Sequence, residues 1–178
     1  MVYAHDLKSC PARDVGSTPT PGTMVKKKEP KVEKLIFDSY LAVIKNSLGS
    51  KMFNSLFAKV GGKKTDVMRN GELSCAFYVS SLLVALGFID RSHATVASTV
   101  EAMKKAGWKR ISKPRTGSVL IWEKVDLDNK GLQRHIGFYM GKKKAVSHSW
   151  IKKTPVEHSY DFGGKRKIEE IFWNPKLK

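Results

Sequence analysis

The sequence predicts an α+β fold in which N-terminal helices pack on a small antiparallel β-sheet. In the first part of the chain, apolar residues recur at helical spacing and glycines follow each run. After Trp108 the pattern changes to short segments rich in β-branched and aromatic residues, with turn signals such as Gly163-Gly164 between them. Helices first and strands second are typical of an antiparallel sheet covered by helices.

We expect four helices before the sheet, at residues 32–44, 51–59, 75–86 and 95–106. The fourth carries Ser98 and Glu101 at capping-box spacing, and Gly107 follows it as a terminator. Residues 63–73 are polar and lack periodicity, so a loop is expected there.

Four strands are expected at residues 118–124, 134–140, 145–150 and 167–173. The segment "DLDNKG", residues 126–131, superficially resembles a calcium-binding loop. Lys130 occupies the fifth ligand position and Gly137 the twelfth, where a bidentate glutamate belongs. The segment is therefore interpreted as a hairpin turn at Asp128-Asn129.

Composition limits the classes to which the chain can belong. Its 178 residues, 41% of them hydrophobic, suit one globular domain, and its two cysteines make no disulfide framework. A net charge of +17 favours polyanionic partners such as nucleic acid, anionic lipid or an acidic cell-wall polymer. Neither a secretory h-region nor a membrane-spanning apolar stretch is visible, so we expect a cytoplasmic protein or one released by a non-classical route.

Residues 1–23 differ in composition from the rest of the chain. They lack periodic hydrophobicity and end in the Pro/Ser/Thr-rich stretch "VGSTPTPGT". A disordered tail is one interpretation. The other is an over-extended gene prediction, because a plausible coding sequence for this stretch resembles the T-arm end of a transfer-RNA gene, with translation starting at Met24. Either way, one domain is expected over residues 24–178.

Cys75 is the candidate nucleophile, because it lies in the first turn of the predicted third helix. Unpaired N–H groups and the helix dipole should stabilise a thiolate there and lower the thiol pKa. His135, at the start of a strand, is the candidate base, and a third polar group should orient it. The next strand offers His148 on its more apolar face and Ser147 on the other.

Simpler interpretations of the same residues exist. A buried structural cysteine is the commoner fate for a residue such as Cys75, and His148 fits a buried, hydrogen-bonded histidine equally well. A zinc site from Cys75, His135, His148 and His158 is possible in residue type, but the sequence has no ligand pair of the usual short spacing.

The pieces "SCAFYVSSLL", "GSVLIWE", "RHIGFYMG" and "AVSHS", in this order over residues 70–150, resemble the NlpC-type, papain-like cysteine peptidases. The resemblance implies a papain-like fold, with Cys75 as nucleophile, His135 as base and acid, and His148 as third member, or Ser147 in a rival register. It implies cleavage of amide bonds in bacterial cell-wall peptides without a cofactor. Where the family commonly has Asp-Cys-Ser-Gly, this chain has Ser-Cys-Ala-Phe, so recognition of a free peptide amine does not carry over.

The competing function is a non-enzymatic basic module on the same fold that binds nucleic acid or another polyanion. Three groups of basic residues could serve it: residues 142–144, residues 165–167, and Lys104, Lys105, Lys109, Arg110, Lys113 and Arg115. Such groups are most often a solvated face. The sequence shows no recognised nucleic-acid-binding motif that would favour this function over hydrolysis.

Overall fold

A computed structural model of the protein describes residues 31–126 and 131–178. Its elements in chain order are α1 (Ile36–Asn46), β1 (Phe57–Val60), β2 (Lys63–Asp66), α2 (Cys75–Ala85), α3 (Val96–Lys105), β3 (Lys109–Arg110), β4 (Val119–Asp126), β5 (Leu132–Gly141), β6 (Lys144–Ser149), β7 (Thr154–Ser159) and β8 (Ile168–Trp173). The predictions for residues 1–23 and for the Asp128-Asn129 turn lie outside the described residues.

The main sheet has six strands in the order β3-β8-β4-β5-β6-β7, and every neighbouring pair is antiparallel. The three helices of the described residues precede it along the chain, with the small β1-β2 hairpin between α1 and α2. The predicted α+β class is confirmed. No helix among the described residues is long and apolar enough to cross a membrane.

The helices cover one face of the sheet. Tyr40 of α1 and Tyr78 of α2 pack edge-on against Phe138 of β5, with ring centroids 5.7 and 5.8 Å apart. Six of the eleven residues of α2 are buried, because this helix lies between the sheet and the other helical elements. This larger core holds the helix that carries Cys75 against β5 and β6.

A smaller cluster covers the opposite face of the sheet. Trp122 and Ala145 are buried there, and Tyr160 and Phe162, from the segment between β7 and β8, pack on them. The Trp122 indole donates a hydrogen bond of 2.7 Å to the Tyr160 carbonyl, which satisfies its buried N–H group. The segment after β7 therefore closes the second face as well as linking two strands.

The predicted helices near residues 75–86 and 95–106 and the four predicted strands are confirmed within a few residues. Thr95, rather than Ser98, caps α3: its hydroxyl accepts the Ser98 N–H at 3.2 Å. The predicted pairing of Ser98 with Glu101 is wrong, because the Glu101 carboxylate lies 2.8 Å from the Lys105 ammonium.

The prediction of a helix at residues 51–59 is wrong, and the predicted loop at 63–73 is confirmed only for residues 67–73, since residues 63–66 form β2. Residues 57–66 form the β1-β2 hairpin, because Gly61 and Gly62 both adopt positive φ, at 55° and 81°, as a two-residue hairpin turn requires. Asp66 closes the base of the hairpin by accepting the N–H groups of Leu56 and Met68, each at 3.0 Å.

Strands β3 and β7 were not predicted, and both are edge strands of the main sheet. β3 has only two residues, too few to produce a pattern. β7 contains Pro155, which normally argues against a strand but is tolerated at an edge, where one backbone side lacks a partner strand.

Gly137 lies in the interior of β5, where the space above its Cα is already filled. A Cβ there would lie 2.6 Å from the Val146 carbonyl oxygen and 2.7 Å from the Ser147 Cβ. We therefore expect Gly137→Ala to lower the free energy of unfolding by about 1–3 kcal/mol through overpacking. Urea unfolding measures this, with Ser149→Ala on the neighbouring strand as control. Equal stability of the Gly137 variant and wild type would contradict the close approach.

Candidate active site

Cys75 begins α2, and backbone N–H groups near its sulfur act to lower the pKa of its thiol. The largest of these effects comes from Ile136 on β5, the residue directly after His135, and the next from Ala76 in the first helical turn. Ser74 precedes the helix without a side-chain cap, so its hydroxyl does not compete for the first-turn amides. The fold thus joins the beginning of α2 to β5 at the position of the predicted base.

Burial raises the pKa of the Cys75 thiol, because desolvation disfavours the thiolate. The backbone N–H groups and the charge of Arg166 act in the opposite direction but are the smaller effects. The sequence-based expectation of a lowered thiol pKa is therefore wrong for this structure, although the amides at the start of the helix do act to lower it. The residue as a whole is half-buried, and its thiol is neutral near pH 7.

His135 lies on the face of the sheet opposite the helices. It pairs with Trp122 of β4, and the two rings lie 5.4 Å apart. Its Nε2 is 2.8 Å from the Ser147 hydroxyl oxygen. Burial holds the pKa of His135 well below its usual value, and the positive charge of Arg166 is the next largest cause. His135 is accordingly a neutral imidazole near pH 7.

His148 does not contact His135 in this structure. Its ring lies on the helix side of β6, 6.3 Å from Tyr78, and its Nε2 is 3.2 Å from the Asn54 amide oxygen. The predicted alternation along β6 is confirmed, and it separates His148 from Ser147. Ser147, the rival register of the sequence analysis, is the residue hydrogen-bonded to His135. The predicted position of His148 beside the base is therefore wrong, and Ser147 occupies that position.

Burial lowers the pKa of His148 to about 4 from an ordinary value of about 6.5. The folded state therefore favours the neutral ring, whereas the unfolded chain takes up a proton below about pH 6.5. We expect the free energy of unfolding to fall as the pH falls from about 6.5 towards 4. Urea unfolding across this range measures the decrease, which should be smaller in His148→Phe. Equal decreases in the two proteins would contradict a buried neutral His148.

His158 on β7 extends the contacts of Ser147. Its Nε2 lies 2.7 Å from the Ser147 hydroxyl oxygen, and its Nδ1 lies 2.7 Å from the Ser159 carbonyl oxygen. Phe162 stacks on its ring with centroids 4.1 Å apart. From the sequence, His158 is only a candidate metal ligand. Its position beside Ser147 depends on the β6-β7 pairing, and β7 was not predicted.

Arg166 is a buried cation between two exposed lysines, Lys165 and Lys167. Its guanidinium donates to the Glu123 carbonyl from Nε at 3.1 Å and from Nη2 at 2.9 Å, and to the Gln133 carbonyl at 2.6 Å. Its charge lowers the pKa of both Cys75 and His135. The view of residues 165–167 as one solvated basic group is therefore wrong at Arg166. Nothing in the run "GGKRK" distinguishes this residue from the lysines beside it.

Within residues 31–126 and 131–178, no group of three or more His, Cys, Asp or Glu side chains is arranged to hold a metal ion. The sheet separates the two predicted histidines. His148 lies on the helix side, 6.3 Å from Tyr78, and His135 lies on the other side with Ser147 and His158. Cys75, at the start of α2, lies close enough to β5 for the backbone N–H of Ile136, the residue after His135, to lower its thiol pKa.

Comparison of the chain with protein-family models and with curated proteins finds no match in either set.

Proposed function

We propose that the protein is a papain-like cysteine hydrolase that cleaves amide bonds by acyl transfer. The observation that carries this proposal is the position of the Cys75 sulfur. It lies at the beginning of a helix, where the backbone N–H of Ile136, the residue after His135, favours its thiolate, while the Ser147 hydroxyl lies 2.8 Å from Nε2 of the His135 ring. The proposed nucleophile thus lies at the start of α2, the base on β5 and the orienting group on the neighbouring strand β6.

The mechanism starts from a neutral thiol and a neutral imidazole. As the Cys75 sulfur attacks the amide carbonyl carbon, its proton passes to His135 Nδ1, because Nε2 is bonded to Ser147. The backbone N–H groups at the start of α2 donate to the developing oxyanion. His135 then protonates the leaving amine, the C–N bond breaks, and a thioester remains on Cys75. Water attacks this thioester with His135 as base, which releases the acid and restores the thiol.

Arg166 affects the two partners in opposite ways. Its positive charge favours the thiolate of Cys75 and disfavours the imidazolium of His135. Burial keeps Cys75 a neutral thiol despite this charge, and burial and the charge together keep His135 a neutral imidazole. Proton transfer is therefore expected to accompany attack on a bound carbonyl. In this proposal the substrates are peptide amides of the bacterial cell wall, the class that the resemblance to NlpC-type peptidases implies.

The test is incubation of the protein with muropeptides in H₂¹⁸O, followed by mass spectrometry of the products. Hydrolysis should give paired fragments, with one ¹⁸O atom in the newly formed carboxylate. When a nucleophilic amine replaces part of the water, it should attack the Cys75 thioester, release the thiol and give the corresponding amide as a product. Intact muropeptides after prolonged incubation with folded protein would count against this substrate class.

A second candidate, a polyanion-binding module, is favoured by the β1-β2 hairpin. Every residue of this hairpin from 57 to 65 is exposed, including Lys59, Lys63 and Lys64. Phe57 is exposed to 60% of its residue surface. A two-stranded ribbon with lysines can contact phosphates, and an aromatic ring can stack on bases.

Binding of a DNA duplex at several salt concentrations tests the second candidate. Replacing Lys59, Lys63 and Lys64 together by glutamine should reduce the salt slope by about 0.9 for each lost phosphate contact. Absence of salt-dependent binding by wild type would remove this candidate, whatever the outcome with muropeptides.

A further inference from the structure

Three side chains on the face of the sheet opposite the helices form a continuous hydrogen-bonded row. His135 on β5, Ser147 on β6 and His158 on β7 come from three adjacent strands. The row runs from His135 Nε2 to the Ser147 hydroxyl at 2.8 Å and on to His158 Nε2 at 2.7 Å. It ends at the Ser159 carbonyl oxygen, 2.7 Å from His158 Nδ1.

The direction of each hydrogen bond follows from the last acceptor. A carbonyl oxygen can only accept, so His158 Nδ1 carries a proton and donates it to Ser159. His158 is neutral, because burial lowers its pKa, so its Nε2 has a lone pair and accepts the Ser147 hydroxyl proton. The Ser147 oxygen then accepts from His135, whose proton must lie on Nε2.

We propose that Ser147 and His158 are positioning residues that hold His135 as the Nε2–H tautomer and so leave Nδ1 unprotonated for proton transfer from Cys75. The tautomer follows from the hydrogen-bond geometry, whereas its use in catalysis rests on the proposed function. In the opposite tautomer, Nδ1 would already carry a proton and could not accept one from the thiol.

The surroundings of His158 favour one fixed arrangement. Its ring is stacked against Phe162 at 4.1 Å and lies 5.8 Å from Trp122, so aromatic contacts restrict its rotation. Glu157 raises the pKa of His158 by its charge, whereas Arg166 and, to a smaller extent, His158 and His148 lower the pKa of His135 by theirs. His135 is thereby kept neutral in the resting protein, which is the form in which a tautomer is defined.

Long-range ¹H–¹⁵N correlation spectra of the full chain test the proposal without any substrate. Each of the five histidines of the sequence gives a pattern that shows which ring nitrogen carries the proton. Loss of one pattern in His135→Gln and of another in His158→Gln assigns the two residues. We expect wild type to show His135 protonated on Nε2 and His158 protonated on Nδ1, near pH 7.5.

Two substitutions break the row at different points. His158→Phe keeps an aromatic ring against Phe162 but removes the acceptor for the Ser147 proton. Ser147→Ala removes only the bridging oxygen. In both variants we expect His135 to become a mixture of tautomers. His158→Gln keeps an acceptor near the same position, so it should retain the Nε2–H form of His135.

Activity gives the second measurement. With a cleavable peptide, His158→Phe and Ser147→Ala should lose about tenfold or more in kcat with KM changed less than about twofold, because substrate binding is unaffected. His158→Gln should recover most of the rate. Ser149→Ala, which removes a hydroxyl from the same strand, serves as the control and should leave kcat unchanged.

The outcomes separate this inference from the proposed function. Two results would overturn the proposal that the row sets the tautomer of His135, even in an active enzyme. One is a proton on Nδ1 of His135 in wild type, and the other is an unchanged tautomer in both His158→Phe and Ser147→Ala. If wild type cleaves nothing, the proposed function fails, and the spectra still decide whether the row sets the tautomer of His135.

Discussion

Replacing Cys75 by alanine is expected to lower kcat/KM for amide cleavage by at least about 10³-fold, because the reaction loses its nucleophile. The sulfur cannot be replaced by a neighbouring group in the proposed mechanism, since the thioester forms on it. The fold should tolerate the change. Alanine suits the first turn of a helix, and the substitution removes only one sulfur atom from a half-buried position.

The matched control is Cys10→Ala, which removes the other cysteine of the sequence. Both variants and wild type are compared with muropeptides by mass spectrometry, and their folding is compared by thermal unfolding. The Cys10 variant should keep wild-type activity. Cleavage that survives in a folded Cys75→Ala protein would end the assignment of the nucleophile.

Replacing Arg166 by methionine is expected to lower the free energy of unfolding by about 2–5 kcal/mol. Methionine fills a similar length but leaves the carbonyl oxygens of Glu123 and Gln133 without the donor they share, and each unsatisfied buried group costs about 1–3 kcal/mol. Urea unfolding measures this loss. Lys165→Met is the control: Lys165 is exposed, so its loss should change stability by less than about 0.5 kcal/mol.

The same substitution should also change the acid–base behaviour of the site. In wild type the Arg166 guanidinium lowers the pKa of both Cys75 and His135. Removing its charge should therefore raise both pKa values. The rate of Cys75 alkylation by iodoacetamide as a function of pH reports the first change, with a midpoint moved to higher pH. Arg166→Lys keeps the charge and should preserve most of this profile. An identical profile in Arg166→Met would show that the charge does not act on the thiol.

The identity of most elements could be predicted because their signals are local. The start of α2 at Cys75 and its end before Gly87 follow from the change from polar to apolar residues and from the glycine. Alternation along β6 correctly predicts Ser147 and His148 on opposite faces. The hairpin at residues 57–66 was missed because Gly61-Gly62 was interpreted as a helix stop rather than as a two-residue turn.

The partners of the candidate site residues could not be predicted with the same certainty. Alternation states which residues of one strand share a face, but the strand pairing decides which residues of another strand they meet. The pairing of Trp122 with His135, and of β6 with β7, brings Ser147 and His158 to the base. Two candidates for the third position were therefore open in the sequence, and the register distinguishes them.

The amino-acid sequence by itself determined the α+β class, a cysteine at the start of a helix, and histidines on strands that follow it. Only the tertiary structure decided that the thiol is neutral, that Arg166 is a buried cation, and that His135 contacts Ser147 rather than His148. The physical reason is that periodicity and helix dipoles act over a few residues. Desolvation and hydrogen bonding between strands depend on groups brought together from distant parts of the chain.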